Sequence, residues 1–182
     1  MEHRDFDFLE AGLTEVRDAP RDSGTIERIV ARPAVGERVV LETAVLDPES
    51  GLMGDTWRQR GSRRTPDGSA HPGMQLTLMN ARAAALIAGP RERWGLAGDQ
   101  LYVDLDLGIE NLPPGTVLEL GTAAIEVTDQ PHTGCAQFRE RFGADALRFV
   151  NSPEGRALRL RGMNTTVIEG GTIALGDLVV KR

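Results

Sequence analysis

Cysteine, lysine and histidine are scarce in this 182-residue chain, and each scarcity argues against a class of function. A single cysteine, Cys135, excludes an internal disulfide framework and fits a reducing compartment, so we expect a cytoplasmic protein. The one lysine, Lys181, lies beside the end of the chain, a poor place for the positioned amine that pyridoxal phosphate chemistry needs. The three histidines, His3, His71 and His132, lack the spacing of a zinc site.

Surplus positive charge and long apolar runs are missing as well. The formal net charge of -6 argues against a general nucleic-acid binder. No apolar run approaches the roughly 20 residues that cross a bilayer. The charged start, Met1–Asp5, is followed by no hydrophobic segment of a signal peptide, so we expect no membrane association.

Glycine and proline are plentiful, at 21 and 10 residues, and they separate short alternating apolar stretches. Strands are predicted over residues 25–32, 37–46, 74–79, 101–107, 116–120, 123–128, 162–168, 172–175 and 178–180. The first two are joined by the turn Pro33–Gly36 and predict a hairpin. Short helices are predicted over residues 81–88, 136–142 and 144–150, the first capped by Asn80. This pattern predicts a mainly β fold, a closed or nearly closed β-barrel with short helical insertions.

The chain divides into an N-terminal extension, residues 1–23, and a β-barrel domain, residues 24–182. The spacing of apolar residues in the extension predicts a helix over residues 5–17. Its apolar face would be formed by Phe6, Phe8, Leu9 and Leu13. Such a face suits docking on the barrel, docking on a partner, or a loose extension, and the sequence does not decide among them.

Cys135 is the first candidate for chemistry, because it lies where a predicted strand gives way to a predicted helix. Unpaired N–H groups at a helix start stabilise a thiolate. His132, three residues upstream, is a candidate to accept the thiol proton. The alternative interpretation is a cysteine that only fills space in the core and a histidine on the surface.

A second candidate site follows Gly51, where four arginines and a tryptophan lie close together. Guanidinium groups bind phosphate through paired N–H donors, and an indole stacks on flat rings. The predicted ligand-binding residues are Trp57, Arg58, Arg60, Arg63 and Arg64. The alternative interpretation is a solvated loop whose arginines pair with carboxylates, with Trp57 closing one end of the barrel.

Three aspartates follow a glycine directly, namely Asp55, Asp99 and Asp177. The commonest role of an aspartate in such a turn is to hydrogen-bond the turn itself. We therefore expect a structural role for the three, although Asp55 also adjoins the arginine-rich stretch.

Three segments in this order resemble the MOSC family, the C-terminal domain of molybdenum-cofactor sulfurases, which also occurs as stand-alone proteins. They are Gly51-Leu52-Met53-Gly54-Asp55, then Glu110-Asn111-Leu112 with Asp129-Gln130-Pro131 ahead of Cys135, and finally Gly170-Gly171-Thr172-Ile173 with Gly176-Asp177. The resemblance covers residues 24–182. It implies a β-barrel that handles molybdenum cofactor (molybdopterin) or sulfur.

The resemblance also assigns roles to residues. It implies that Cys135 carries a persulfide, as a sulfur carrier, or ligates molybdenum. Asp55 and Asn111, which belong to the matching segments, join the predicted cofactor-binding set. The alternative interpretation of Asn111 is that it holds a turn. The chain departs from the family at His132 and Gly134, where a Pro-Arg-x-Pro-Cys pattern is common, so the family's substrate is not carried over.

The leading hypothesis is thus a MOSC-type protein that binds molybdopterin or carries sulfur on Cys135. One alternative is a non-catalytic β-barrel that binds a small molecule or a partner, with a structural cysteine. Another is a molybdenum-dependent reductase of N-hydroxylated compounds. A carrier implies a cysteine desulfurase as partner, and a reductase implies an electron-transfer protein, because the chain has no flavin, haem or iron–sulfur signature. Whether the protein is an enzyme stays open.

Overall fold

A closed barrel of seven strands forms the centre of the fold. The computed structural model describes residues 3–182, so Met1 and Glu2 of the predicted extension lie outside the described residues. The strands are β1 (Ser23–Ala31), β2 (Val39–Leu41), β3 (Thr43–Asp47), β4 (Gly51–Leu52), β5 (Leu76–Asn80), β6 (Leu101–Asp104), β7 (Val117–Leu120), β8 (Ala123–Val127), β9 (Met163–Glu169), β10 (Gly171–Ala174) and β11 (Leu178–Lys181).

Short helices precede and connect the strands, and most of them pack on one side of the barrel. They are α1 (Phe6–Ala11), α2 (Leu13–Arg17), α3 (Trp57–Arg60), α4 (Ala81–Ala88), α5 (Ala136–Phe142), α6 (Ala144–Asn151) and α7 (Pro153–Ala157), with two 3-10 helices, Pro72–Met74 and Arg91–Ala97. None of the helices within residues 3–182 has the length and apolar character needed to cross a membrane. The mainly β architecture with short helices confirms the predicted fold class.

The barrel closes in the strand order β1, β11, β7, β8, β9, β5, β6 and back to β1. A ring with an odd number of strands cannot alternate in direction throughout, so one pair must be parallel. That pair is β5 and β6. Parallel neighbours need a long crossover, which α4 and the 3-10 helix Arg91–Ala97 provide. Asn80 starts this crossover as predicted, because its side chain accepts hydrogen bonds from the N–H groups of Arg82 and Ala83.

The predicted strand over residues 37–46 is wrong in one respect, because it forms two strands in different sheets. β2 pairs with β1 and confirms the predicted hairpin. Along one edge, β1 pairs first with β11, at Ser23–Thr25, and then with β2, at Ile29–Ala31. Only a short stretch of that edge is left for β2. Beyond it the chain turns away, and β3 joins β10 and β4 in a separate three-stranded sheet.

Apolar side chains form two layers, one inside the barrel and one between its wall and the helices. In β6, Leu101 and Val103 point into the barrel, whereas Tyr102 points outward and donates a hydrogen bond to the carbonyl of Trp94 at 2.6 Å. This strand is therefore buried on both faces, which explains how the barrel wall can also support the helical layer.

The N-terminal residues pack onto this outer layer. The single helix predicted over residues 5–17 is broken at Gly12 into α1 and α2, with Leu9 and Leu13 buried. A Cβ at Gly12 would lie 2.2 Å from Cδ1 of Leu86, so a larger residue there would displace the Leu86 side chain of α4. Of the alternatives left open by the sequence, the structure shows docking on the barrel.

Candidate functional site

A cleft of about 370 Å³ lies against the outer wall of the barrel. Its floor includes Thr77 of β5 and Asn164 of β9, which are paired across the two strands. Their neighbours Leu78 and Met163 lie in the barrel interior, so Thr77 and Asn164 point outward. We call this the basic cleft, and its lining is Arg32, Trp57, Arg60, Gly61, Ser62, His71, Met74, Thr77, His132 and Asn164.

A buried ion pair holds one wall of the basic cleft. Nε of Arg32 donates to Oδ2 of Asp55 at 2.7 Å, and Nη2 donates to Oδ1 at 3.0 Å. The Asp55 side chain is fully buried and also accepts a hydrogen bond from the N–H of Trp57 at 2.9 Å. Asp55 thus holds its turn, as expected, and also fixes the direction of Arg32. Its Oδ1 lies 3.7 Å from Nη2 of Arg60.

A second buried network orients His132. Oδ1 of Asp99 lies 2.9 Å from Nε2 of His132, and Oδ2 accepts a hydrogen bond from Nη1 of Arg161 at 2.6 Å. Arg161 also donates to the carbonyl of Ala97 at 2.8 Å. The side chain of His132 is only 16% exposed and that of Asp99 is fully buried. The expected turn role of Asp99 is wrong, because within residues 3–182 its carboxylate forms hydrogen bonds only with His132 and Arg161 and so pairs with charged groups.

The charges in this network set the protonation of His132. Burial alone would raise the pKa of Asp99, but the Arg161 guanidinium and His132 hold it well below its usual range, so Asp99 is an anion. Burial and the positive charge of Arg161 lower the pKa of His132, against the opposing effect of Asp99. A neutral imidazole beside a carboxylate donates through Nε2, which assigns the lone pair to Nδ1. His132 is thus built as a proton acceptor.

Asn164 presents an unsatisfied acceptor in the basic cleft. The residue is 1% exposed, and its Nδ2 donates to the carbonyl of Gln130 at 3.1 Å. Its Oδ1 has no hydrogen-bond partner among residues 3–182. Buried polar atoms are normally paired. This oxygen is enclosed at the floor of the cleft, so a bound molecule would reach it by displacing neighbouring side chains.

The surroundings of the cleft carry surplus positive charge, although the chain as a whole is acidic. Burial and the nearby charge of Arg32 lower the pKa of Arg60, and burial together with Arg141 and Arg32 lowers that of Arg38. The arginines repel one another because the buried carboxylate of Asp55 does not offset all of them. An anionic ligand would relieve this repulsion.

The structure brings together part of the predicted arginine site. Trp57 and Arg60 line the basic cleft. Arg58 is exposed and lies 3.8 Å from Glu49, which matches the alternative of a solvated loop. Arg63 and Arg64 are exposed and do not line the cleft.

Cys135 and Asn111 lie away from the basic cleft. Cys135 is exposed at the N-cap of α5, so the predicted strand-to-helix position is correct, but its side chain makes no capping hydrogen bond. Asn111 is buried on another side of the barrel, where its Nδ2 donates to the carbonyls of Arg21 and Asp106 and its Oδ1 accepts from Lys181. The roles of both in binding stay predictions.

The sequence did not indicate Arg32, Arg161 or Asn164 as site residues. For Asp99 it predicted only a role in stabilising a turn. No local motif marks the first three residues. The glycine before Asp99 was a visible signal, but it indicated a turn and not the buried network.

A second cleft of about 340 Å³ begins on another side of His132, which lines both clefts. Its lining is Ile109, Pro114, Thr128, Asp129, Gln130, Pro131, His132, Thr133, Val150, Gly155, Arg156, Arg159, Arg161, Gly162 and Met163. The loop between β8 and α5 therefore separates two cavities and supplies His132 to each.

The fold is similar to that of several proteins of known structure. YuaD from Bacillus subtilis superposes with a TM-score of 0.65 at 16% identity over 86% of this chain and 94% of its own. YiiM from Escherichia coli gives a TM-score of 0.56 at 18% identity, covering 87% and 69%. YiiM from Geobacillus stearothermophilus gives 0.53 at 13% identity, covering 90% and 74%. No protein-family model and no curated protein matches the chain. At these identities the likeness establishes that the chain has the fold of YuaD and YiiM.

Proposed function

We propose that this chain is a MOSC-type protein that binds a molybdopterin-type cofactor in the basic cleft. The observation that carries the proposal is the cleft itself, which combines the guanidinium of Arg60, the indole of Trp57 and the unpaired Oδ1 of Asn164. The motif resemblance and the fold shared with YuaD and YiiM, which are MOSC-domain proteins, support the same assignment.

The residues of the cleft fit the chemical groups of such a cofactor. A pterin has a flat ring with N–H donors, which would stack on Trp57 and donate to Oδ1 of Asn164. Its phosphate would bind Arg60, which a neighbouring arginine already repels. Residues 3–182 contain no cluster of three or more His, Cys, Asp or Glu suited to a metal ion. The protein would therefore hold the cofactor through contacts to its pterin and phosphate groups.

When bound, the cofactor supplies a redox-active molybdenum centre. The chain's own contribution is the positioned imidazole of His132. With Nε2 fixed on Asp99, Nδ1 would accept a proton from a group in the cleft and return it later. Arg161 would keep the imidazole neutral between these events by opposing its protonation.

Cys135 supports a sulfur-carrying role on the protein surface. Its exposed thiol is accessible to a donor such as a cysteine desulfurase. The Cys135 thiolate would attack the outer sulfur of the donor persulfide, form a persulfide on Cys135 and release the donor thiolate. The sulfur moves between thiols, so no separate oxidant is consumed.

The test is expression in a host that makes the cofactor, followed by measurement of molybdenum, pterin and sulfane sulfur per chain. Cofactor binding predicts molybdenum and pterin in equal amounts. Absence of both would remove the proposal for the basic cleft, and absence of persulfide on Cys135 would remove the carrier role.

A further inference from the structure

The second cleft combines apolar walls with two arginines that have no acidic partner. Ile109 and Pro114 supply apolar surface, and Ile109 is 49% exposed. Arg156 and Arg159 line the same cavity. Within residues 3–182 neither guanidinium is in an ion pair with a carboxylate. In a chain with net charge -6, two uncompensated arginines beside an apolar cavity are a specific feature.

Arg159 occupies a position where the backbone favours glycine. Its φ of 48° is the only positive value at a non-glycine residue between positions 3 and 182. It follows the C-cap of α7, where the N–H of Leu160 donates to the carbonyl of Gly155 at 2.8 Å and closes the helix. Glycine adopts this left-handed conformation at lower cost than arginine. Arginine at this position is less favourable for the backbone than glycine, but it places a guanidinium in the cleft.

One edge of that guanidinium is already fixed. Nη1 of Arg159 donates to the carbonyls of Leu107 and Leu112, at 3.2 and 2.7 Å. In the part of the chain that the structure describes, Nε and Nη2 have no acceptor. The one carboxylate in the lining, Asp129, is exposed and accepts a hydrogen bond from its neighbour Gln130 at 2.8 Å. Positive charge therefore exceeds negative charge in the cleft.

We propose that the second cleft binds an organic acid that has an apolar body and one carboxylate. The carboxylate would bind Arg156 and the free edge of Arg159, and the body would pack on Ile109 and Pro114. A volume of about 340 Å³ suits a molecule of roughly a dozen heavy atoms, at the small end of known ligand sites. The claim that this acid is the substrate rests on the proposed function. The claim that the acid binds in the second cleft does not.

The position of His132 connects the two clefts. The imidazole lines both, so an acid in the second cleft and a cofactor in the basic cleft would meet at the same proton acceptor. The second cleft would then select the substrate, and the basic cleft would hold the reacting group.

Methionine methyl groups distinguish the two clefts. Met163 is buried, but its Sδ lies 3.6 Å from Nη1 of Arg159 at the inner end of the second cleft, whereas Met74 lines the basic cleft. The experiment titrates cofactor-free protein labelled with ¹³C at the methionine methyls. The probes are 4-phenylbutyrate and its uncharged analogue 4-phenylbutan-1-ol. We expect the acid to shift Met163 but not Met74, and to bind about tenfold more tightly than the alcohol.

Variants test the two arginines. Arg156→Glu changes an exposed side chain and should weaken 4-phenylbutyrate binding at least tenfold, whereas Arg139→Glu, an exposed change outside both clefts, should leave it unchanged. Arg159→Gly suits the left-handed backbone and should weaken binding to a similar extent.

Equal binding of the acid and the alcohol, a shift confined to Met74, or full binding by Arg156→Glu would overturn the proposal. Inorganic phosphate, the probe for the basic cleft, should shift Met74. Failure of phosphate alone would count against the proposed function and leave the second cleft unaffected.

Discussion

Asp99 and His132 form a buried pair, with 2.9 Å between Oδ1 and Nε2. They lie 33 residues apart in the chain. The pair joins the crossover between β5 and β6 to the loop after β8, and it fixes the imidazole that lines both clefts.

Replacing Asp99 with asparagine should destabilise the fold strongly. Arg161 would keep its charge in a site where its side chain is 8% exposed, with no carboxylate to offset it. Breaking a buried pair in this way typically costs about 3–5 kcal/mol. Urea denaturation of D99N measures the loss. The control is Asp145→Asn, which breaks an exposed pair with Arg148 and should cost under about 1 kcal/mol. Similar losses in both variants would contradict the role given to Asp99.

His132 should make stability fall as the pH falls below neutrality. The ordinary pKa of histidine is about 6.5, and burial and Arg161 lower the pKa of His132 in the folded protein. At a pH between these two pKa values, His132 binds a proton in the unfolded chain but not in the folded chain. Lowering the pH through this range therefore favours unfolding. Below the folded pKa the loss stops growing.

Denaturation at pH 7.5, 6.5 and 5.5 measures this slope in the wild-type protein and in two variants. His132→Gln should remove a clear part of the slope, whereas His3→Gln, at an exposed residue, should retain it. An unchanged slope in H132Q would show that His132 is not held neutral. Nuclear magnetic resonance of the His132 ring should give a midpoint below 6.5, lower still in D99N, because Asp99 raises this pKa.

Asn164→Leu should weaken ligand binding while leaving the fold stable. In the unliganded protein Oδ1 of Asn164 has no partner within residues 3–182, so only the hydrogen bond to Gln130 is lost, about 1 kcal/mol. Bound pterin per chain should fall at least tenfold, about 1.4 kcal/mol in binding. The matched control is Thr166→Val, which lies further along β9 and does not line the cleft. Full pterin content in N164L would exclude Asn164 from the site.

Cys135→Ser separates the sulfur-carrying role from a structural one. Serine is a good N-cap residue and Cys135 is exposed, so stability should stay the same or rise by up to about 1 kcal/mol. Mass spectrometry after incubation with a cysteine desulfurase and cysteine should detect one added sulfur on the wild-type chain and none on C135S. Added sulfur on C135S, or none on the wild type, would contradict the carrier role.

Local sequence patterns were enough to predict the barrel. Alternating apolar residues identified most strands, and Asn80 and the strand-to-helix position of Cys135 were placed correctly. The split of the strand over residues 37–46 could not be foreseen, because it depends on how β11 and β2 share the edge of β1.

The site was predicted only in part, for the same physical reason. Of the residues that line the basic cleft, Trp57, Arg60 and His132 were among those predicted from sequence, because each stands in an unusual local stretch. Asp99 and Arg161 are 62 residues apart, and neither shows in its own segment that the barrel will pair them. Position after folding also distinguishes the arginines. Arg60, Arg63 and Arg64 are all exposed, but only Arg60 lines the basic cleft.

The central claim is that the basic cleft binds the cofactor, and its most direct test is molybdenum and pterin content after expression in a cofactor-producing host. We expect near-equal amounts of both in the wild-type protein and in Arg64→Ala, whose side chain lies outside the cleft. Arg60→Ala removes a guanidinium from the lining and should retain at most about a tenth as much. A wild-type protein without molybdenum and pterin, or equal content in R60A and R64A, would contradict the claim.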